Sequence, residues 1–323
     1  MFDIITVGAG VRDVFLLSKQ FQLIPSKQFM GGVGECVSLG DKIEIEEIVY
    51  ATGGGATNAA VTFANLGYRV STICRVGDDA PGRELVAELS RDGVDTSLVV
   101  RDPSGSTGYS TLLTAATGER TALVYRGVSG SFTAKDIPWE SCATGWVYLT
   151  SIGGNMALVK KMFSCGSGSG IQFAWNPGKK EIEKGLSEIR PLLPNVAVFN
   201  LNMEEAKILT NRTEIRDIFK ELSTPRGIVI VTDGPNGSYV HKNGVALFAP
   251  GTGKKAKSQT GAGDAFGSAF VAALLKDEKN LKLALATAVL NAESVIKQVG
   301  AKAGILKRWP TKSQLESIKI TAL

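Results

Sequence analysis

Two hydrophobic rhythms alternate along this chain of 323 residues. FDIITV (2–7), VSTICRV (70–76), WVYLTS (146–151), GIQFAW (170–175), NVAVFN (195–200) and GIVIV (227–231) are short apolar runs rich in β-branched and aromatic residues, as in strands buried on both faces. Residues 56–66, 81–92, 203–210 and 262–275 carry apolar positions at helical spacing instead. The alternation predicts an α/β fold, a doubly wound and mostly parallel sheet flanked by helices.

Two regions depart from that rhythm. KIEIEEIVY (42–50), and GYSTLLT (108–114) with TALVYRG (121–127) around the turn signal ATGER, alternate apolar and polar residues, the pattern of strands covered on one face only. They do not suit the interior of a doubly covered sheet, so a small projecting sheet is expected. The run SCGSGSG at 164–170 reads as a flexible connection. At 44% hydrophobic the chain can bury a large core, and no break in composition divides it. One domain over 1–323 is expected, with segments of about 14–50 and 104–128 inserted as the small sheet.

Charge and cysteines narrow the class further. Cys36, Cys74, Cys142 and Cys165 show no CxxC spacing, and Met1 opens a strand-like segment, not a charged leader with an apolar run, which points to a reducing, cytoplasmic setting. No apolar stretch approaches the ~18 residues of a membrane span. The net charge of +5 is modest and dispersed, so nucleic acid is not implied. Lys254, Lys255 and Lys257 form the one local cluster, either a solvated loop or a lure for a polyphosphate. His241, the sole histidine, has no partners nearby in sequence for a metal site or a nucleophilic triad.

The chemistry concentrates at Thr260-Gly261-Ala262-Gly263-Asp264-Ala265-Phe266, which opens an apolar helix. Two glycines let the backbone turn closely around an anion, and the free amides of a helix start point outward, which together make an anion hole. Asp264 fits two roles: a carboxylate complementing the helix start, or a base taking a proton from a hydroxyl that attacks a bound phosphate. Gly8-Ala9-Gly10 follows a strand as in a dinucleotide-binding turn, but the third glycine of GxGxxG falls at Asp13, which argues against NAD. Asp13, placed at the carboxyl end of the first strand, is left to cap a turn or to accept hydrogen bonds from a ligand's hydroxyls. Gly53, Gly54 and Gly55 form a tight turn into a helix bearing Asn58, and Asn202 and Glu205 share the face of a helix start as a capping pair would.

GGGATNAAVTFANLG (53–67), NLNMEEA (200–206), VTDGPNGSYV (231–240) and TGAGDAF (260–266) occur in an order that resembles the ribokinase-like (PfkB) family of carbohydrate and nucleoside kinases, over nearly the whole chain. The resemblance implies a ribokinase-like fold whose small sheet is a β lid over the sugar and a possible homodimer surface. It implies phosphorylation of a small sugar by ATP with Mg²⁺, a nucleoside being the alternative acceptor. Asp264 would be the general base, and Gly261, Ala262 and Gly263 the anion hole. Asp13, Gly53, Gly54 and Asn58 would bind the acceptor. Asn202 and Glu205 would organise Mg²⁺, Glu205 through water. Thr232, Gly234 and Gly237 would border the nucleotide, and Asn291 would lie near the adenine.

Two departures stand out. Met203 replaces a glutamate frequent after the asparagine, and Ser258-Gln259-Thr260 replaces a leading DTT whose aspartate helps to hold a monovalent cation in some members. A neutral hydroxyl attracts K⁺ far less, so potassium activation is expected to be weak or absent. A binding protein without turnover is the rival from another class, and the presence of Asp264 beside the anion hole speaks against it.

Overall fold

The computed structural model describes residues 1–29, 32–117, 120–139, 144–251, 253–254 and 256–323; Cys142, Lys255 and part of the ATGER turn lie outside them. A nine-stranded sheet forms the spine. From one edge its strands are Val70–Ile73, Phe2–Val7, Thr144–Leu149, Gln172–Trp175, Val198–Asn202, Ile228–Thr232, Ser238–Lys242, Val245–Ala249 and Thr321–Ala322. Strands from Val70–Ile73 to Ile228–Thr232 run parallel, and the rest add antiparallel.

The apolar runs lack polar alternation because both faces are covered. Ile4, Ala174, Val198, Ile228 and Ile230 pack into one core with the helices Gly55–Asn65, Ala262–Lys276 and Leu281–Val295. Their strand neighbours Ile5, Phe173, Phe199, Val229 and Val231 pack into the other, with Met156–Ser169, Met203–Thr210 and Ile215–Leu222. The chain leaves Phe2–Val7 for one side of the sheet and later crosses to Thr144–Leu149 on the other. Strand order therefore reverses beside Phe2–Val7, and a crevice at the carboxyl ends of such strands is where open α/β sheets bind ligands.

A second sheet has the order Arg120–Tyr125, Gly108–Ala115, Val11–Ser18, Glu47–Gly53. One face carries the buried Asp13, Phe15, Ser110 and Leu112; the other exposes Ile48, Tyr50, Leu123 and Tyr125. That asymmetry is what the alternating pattern requires. The expected strand at 42–50 begins only at Glu47, since Leu17, opposite Glu47, is the last partner residue that Val11–Ser18 offers to it. Asp13 lies within this sheet and not at the end of the first strand, which stops at Val7.

Residues 164–170 also differ from expectation: helix Met156–Ser169 runs through them and ends on Gly170 at φ 72°. Leu158, Val159, Met162 and Phe163 bury its apolar side, and a side chain at Gly166 would collide with Phe173, 2.2 Å away. Tertiary packing here outweighs the helix cost of the glycines. Among the described residues, no helix is long and apolar enough to cross a membrane.

The second turn of Ala262–Lys276 rests on a similar fit. A Cβ at Gly267 would fall 2.3 Å from the Tyr148 hydroxyl and 2.5 Å from Asn200 Nδ2. Gly→Ala within a helix ordinarily stabilises by up to ~1 kcal/mol. Gly267→Ala should instead destabilise by about 1–3 kcal/mol in chemical denaturation, because both neighbours are buried. Unchanged or raised stability would contradict this packing account.

Candidate active site

Helix Ala262–Lys276 starts at the crevice, and its cap is Gly261 at φ 79° with no side-chain capping bond. Glycine is needed there twice over: the φ is left-handed, and a Cβ would lie 2.5 Å from the Ala301 Cβ. The Gly261 carbonyl accepts from Ala265 N at 2.9 Å, and Ala262 N donates back to Gln259 O at 3.3 Å. The amides of Gly263 and Asp264 have no partner among the described residues, and a Cβ at Gly263 would meet only open space. Two free N–H groups at the positive end of a helix, facing an open volume, suit an oxyanion.

Asp264 stands in the same turn. Its Oδ2 accepts a hydrogen bond from Asn58 Nδ2 at 2.8 Å, and burial pushes its carboxyl above the usual range while Asn58 and Lys302 oppose the shift. Asn58 Oδ1 is buried without a partner. Asn58 comes from helix Gly55–Asn65, entered through the glycine turn. Gly54 has φ 100° and would collide with Ala9 O at 2.3 Å if it carried a side chain. Gly53 abuts Asp13, whose Oδ2 sits 2.0 Å from where a Cβ would be. The glycine turn thus leaves room for a carboxylate.

Asp13 is 5% exposed. Burial raises its carboxyl to about 6; Ser110, Lys302 and Arg12 work against the rise, and Asp264 adds to it. Gly53 touches Asp13 and leads into the helix whose Asn58 holds Asp264, which brings the two carboxylates to one locus although one comes from a strand and the other from a distant helix. Asp13, Gly53, Gly54, Asn58 and the 261–264 turn are therefore brought together.

The other sequence candidates separate into two groups. Asn202 and Glu205 form a reciprocal cap at the next strand end, Asn202 N donating to Glu205 Oε2 at 2.9 Å and Glu205 N to Asn202 Oδ1 at 2.8 Å. Glu205 is held above its usual range by burial, with Glu204 and Asp264 adding to the rise. Thr232 pairs with Asn202 in register, and the turn through Gly234 (φ 50°) and Gly237 (φ 116°) continues that edge. Asn291 lies behind the helix start and not on that edge. It is fully buried, donating to Ala265 O at 2.8 Å and accepting from Leu306 N at 2.9 Å, so its amide is committed to holding helices together. Lys254 pairs with the buried Glu293, while Lys257 is exposed. Ser258, buried, accepts a hydrogen bond from Thr260 N at 3.3 Å where the aspartate of DTT would stand.

Sequence reasoning missed Ser110, Thr52, Glu88 and Lys302. Ser110 was visible only as part of an alternating strand; it becomes relevant because Gly108–Ala115 pairs it with Asp13. Lys302, in the segment VGAKAG, gave no signal distinguishing it from a surface lysine.

Free helix amides beside a carboxylate at a sheet switch point define a place for chemistry on an anionic group. The family model for pfkB family carbohydrate kinases matches residues 32–308. The chain is 27% identical over 255 residues to a sugar kinase of Archaeoglobus fulgidus, spanning 75% of this chain and 97% of the relative. It is 26% identical over 286 residues to a ribokinase of Haemophilus influenzae, spanning 86% and 91%. Ribokinase from Giardia lamblia has the same fold, with a TM-score of 0.78 at 18% identity over 98% of this chain and 99% of the other. This chain belongs to the pfkB family of carbohydrate kinases.

The raised Asp13 carboxyl is directly measurable. Carbon-detected NMR should find its titration midpoint near 6, and a midpoint below about 5 would overturn the burial account. The sign for stability follows: the folded chain keeps this proton at pH values where the unfolded chain has lost it, so the group lowers stability as pH rises from 3.8 to about 6. Asp13→Asn should remove that part of the pH dependence and be no less stable than the parent at pH 7.

Proposed function

We propose that the protein transfers the terminal phosphoryl group of ATP to a hydroxyl of a small sugar, with Asp264 as general base. The observation that carries this reading is the Asn58–Asp264 hydrogen bond, which ties the turn bordering Asp13 to the helix start that offers free amides. The bond leaves Asp264 Oδ1 unengaged for a proton, and Asn58 Oδ1 unengaged for an acceptor hydroxyl.

In this mechanism Asp13 and Asn58 fix the acceptor by accepting hydrogen bonds from its hydroxyls. The Gly263 and Asp264 amides stabilise charge on the phosphates. Asp264 takes the proton as the hydroxyl attacks in line, its raised affinity for protons matching that task. Most of the acceleration comes from positioning and charge stabilisation, because phosphoryl transfer needs little covalent help. Asp264 must be ionised to act, so turnover falls on the acid side as it and Asp13 protonate.

The residues present fit Mg²⁺ bound mainly by phosphates and water. The described residues contain no cluster of three carboxylate, His or Cys groups, and Glu205 has one oxygen in its cap and one uncommitted. That oxygen would hold a metal-bound water, and the ion would supply neutralisation of phosphate charge. Thr232, Gly234 and Gly237 would border the nucleotide beyond. The small sheet serves as a lid that excludes water, and its outer apolar face, with Tyr50, Leu123 and Tyr125, suits self-association.

A panel of sugars and nucleosides with ATP and Mg²⁺, scored by ADP release, tests the activity; no release with any sugar would sink it. Asp264→Asn should fold and bind ATP while losing roughly 10² to 10⁴ in turnover. Near-parental turnover would reduce Asp264 to a helix cap. With the accepted sugar bound, amides of 11–18 and 108–115 should exchange more slowly with solvent, and by a larger factor than those of the main sheet. Equal protection in both sheets would argue against a lid.

A further inference from the structure

Lys302 is 6% exposed, and no other lysine or arginine among the described residues is so deeply buried. It forms no ion pair with a described residue; its Nζ donates to Thr52 Oγ1, and that hydroxyl donates onward to Glu88 Oε1 at 2.7 Å. Both ends of the residue are anchored to the site. Ala301, the preceding residue, packs on Gly261 of the anion-hole turn, and Thr52 immediately precedes Gly53, which abuts Asp13. Burial lowers the proton affinity of Lys302, and Glu88 first, then Asp13 from the small sheet, Asp92 at the end of helix Ala80–Arg91 and Cys74 beside the main sheet work against that shift and favour the ammonium. Asp264 feels the ammonium from the helix start.

An ammonium held by one hydroxyl in a dry interior is costly, and a methionine would fill the same space without that cost. What it offers in return is charge. Two carboxylates share the acceptor locus, and like charges brought together out of water force one of them to hold a proton. A protonated Asp264 has no capacity to accept another proton.

We propose that Lys302 is a positioning residue for the transfer, an internal cation that keeps Asp13 and Asp264 ionised together. This rests on the roles given to those two carboxylates under the proposed function. The relay through Thr52 to Glu88 stabilises the ammonium, and Asp13 and Asp264 both feel its charge.

The experiment measures kcat/KM against pH for the parent, Lys302→Met, Lys302→Gln and Lys302→Arg, with the accepted sugar, alongside chemical denaturation. Lys302→Met should be at least as stable as the parent at pH 7, with turnover about tenfold or more lower and its acid limb moved up by about one pH unit. Lys302→Gln, which keeps a bond to Thr52 without charge, should show the same displaced limb, and Lys302→Arg should restore the parental one. A parental acid limb in folded Met and Gln variants overturns the proposal, as does a marked loss of stability with no change in the limb. Asp264→Asn in the same series separates the two readings: if it turns over normally, the base assignment fails; if it is inactive while the limb is unmoved, only the role of Lys302 fails.

Discussion

The site depends on two helices made of small residues meeting closely at their amino ends. Gly55–Asn65 and Ala262–Lys276 pack together, and Ala56, Ala59, Ala60, Ala265, Ala269, Ala272 and Ala273 are almost wholly buried along them. Small side chains let the backbones approach, so the short Asn58 amide spans the gap to Asp264 across 206 positions of sequence. Asn291 fixes the same junction from behind, bonding Ala265 O of one helix and reaching Thr62 of the other. Its carbonyl takes Leu306 N, fastening the segment that carries Ala301 against Gly261. One buried amide therefore sets the spacing of both helix starts and the backing of the anion-hole turn.

Close packing has an electrostatic consequence. Bringing Asp13 and Asp264 to the junction removes water from both, and desolvation raises both carboxyls despite the helix start and the amide partner. The like charge of Asp264 adds to the rise at Asp13, and Lys302 subtracts from both. The affinity of this place for protons is thus a balance between packing, which favours the neutral acids, and a buried cation, which favours the ions. A helix start in open solvent would have neither term, and its aspartate would be an ordinary cap.

Much of the fold was legible because burial on both faces writes itself into consecutive residues: GIVIV and FDIITV lack polar alternation for the same reason that Ile230 and Val231 face different cores. The glycine-rich turns were legible too, since close approach and left-handed backbone at Gly54 and Gly261 demand glycine. What escaped were features set by contacts distant in sequence. The helix through 164–170 exists because Phe173 and the buried side of Met156–Ser169 hold it, which outweighs local composition. From sequence alone Asp13 falls at the end of the first strand, because nothing local marks Val7 as its last residue and Val11 as the first of another sheet. Asn291 resembles a ligand-facing polar residue on an apolar helix, yet every bond it makes is internal. Lys302 offered no periodicity at all; only the fold reveals that its loop turns inward.

Under the proposed function, register within the small sheet bounds the acceptor. Ala51 and Ser110 flank Asp13 on one face, so the first positions beside the carboxylate are small or hydroxylated. Two residues further along, Phe15 and Leu112 occupy the same face and are buried, so that direction is already filled by protein. In the other direction Val11 lies between Gly53 and Gly108, two positions without side chains. Asp13 Oδ2 occupies the space beside Gly53, and Ser129, Val11 and the Arg126 carbonyl that beside Gly108, so under the proposed function an acceptor held at Asp13 is left the direction of the helix start, where Gly263 borders open space. A course along the strands toward Phe15 and Leu112 would displace the core of the small sheet, so under the proposed function any extension of the acceptor has to leave on the side of the helix start.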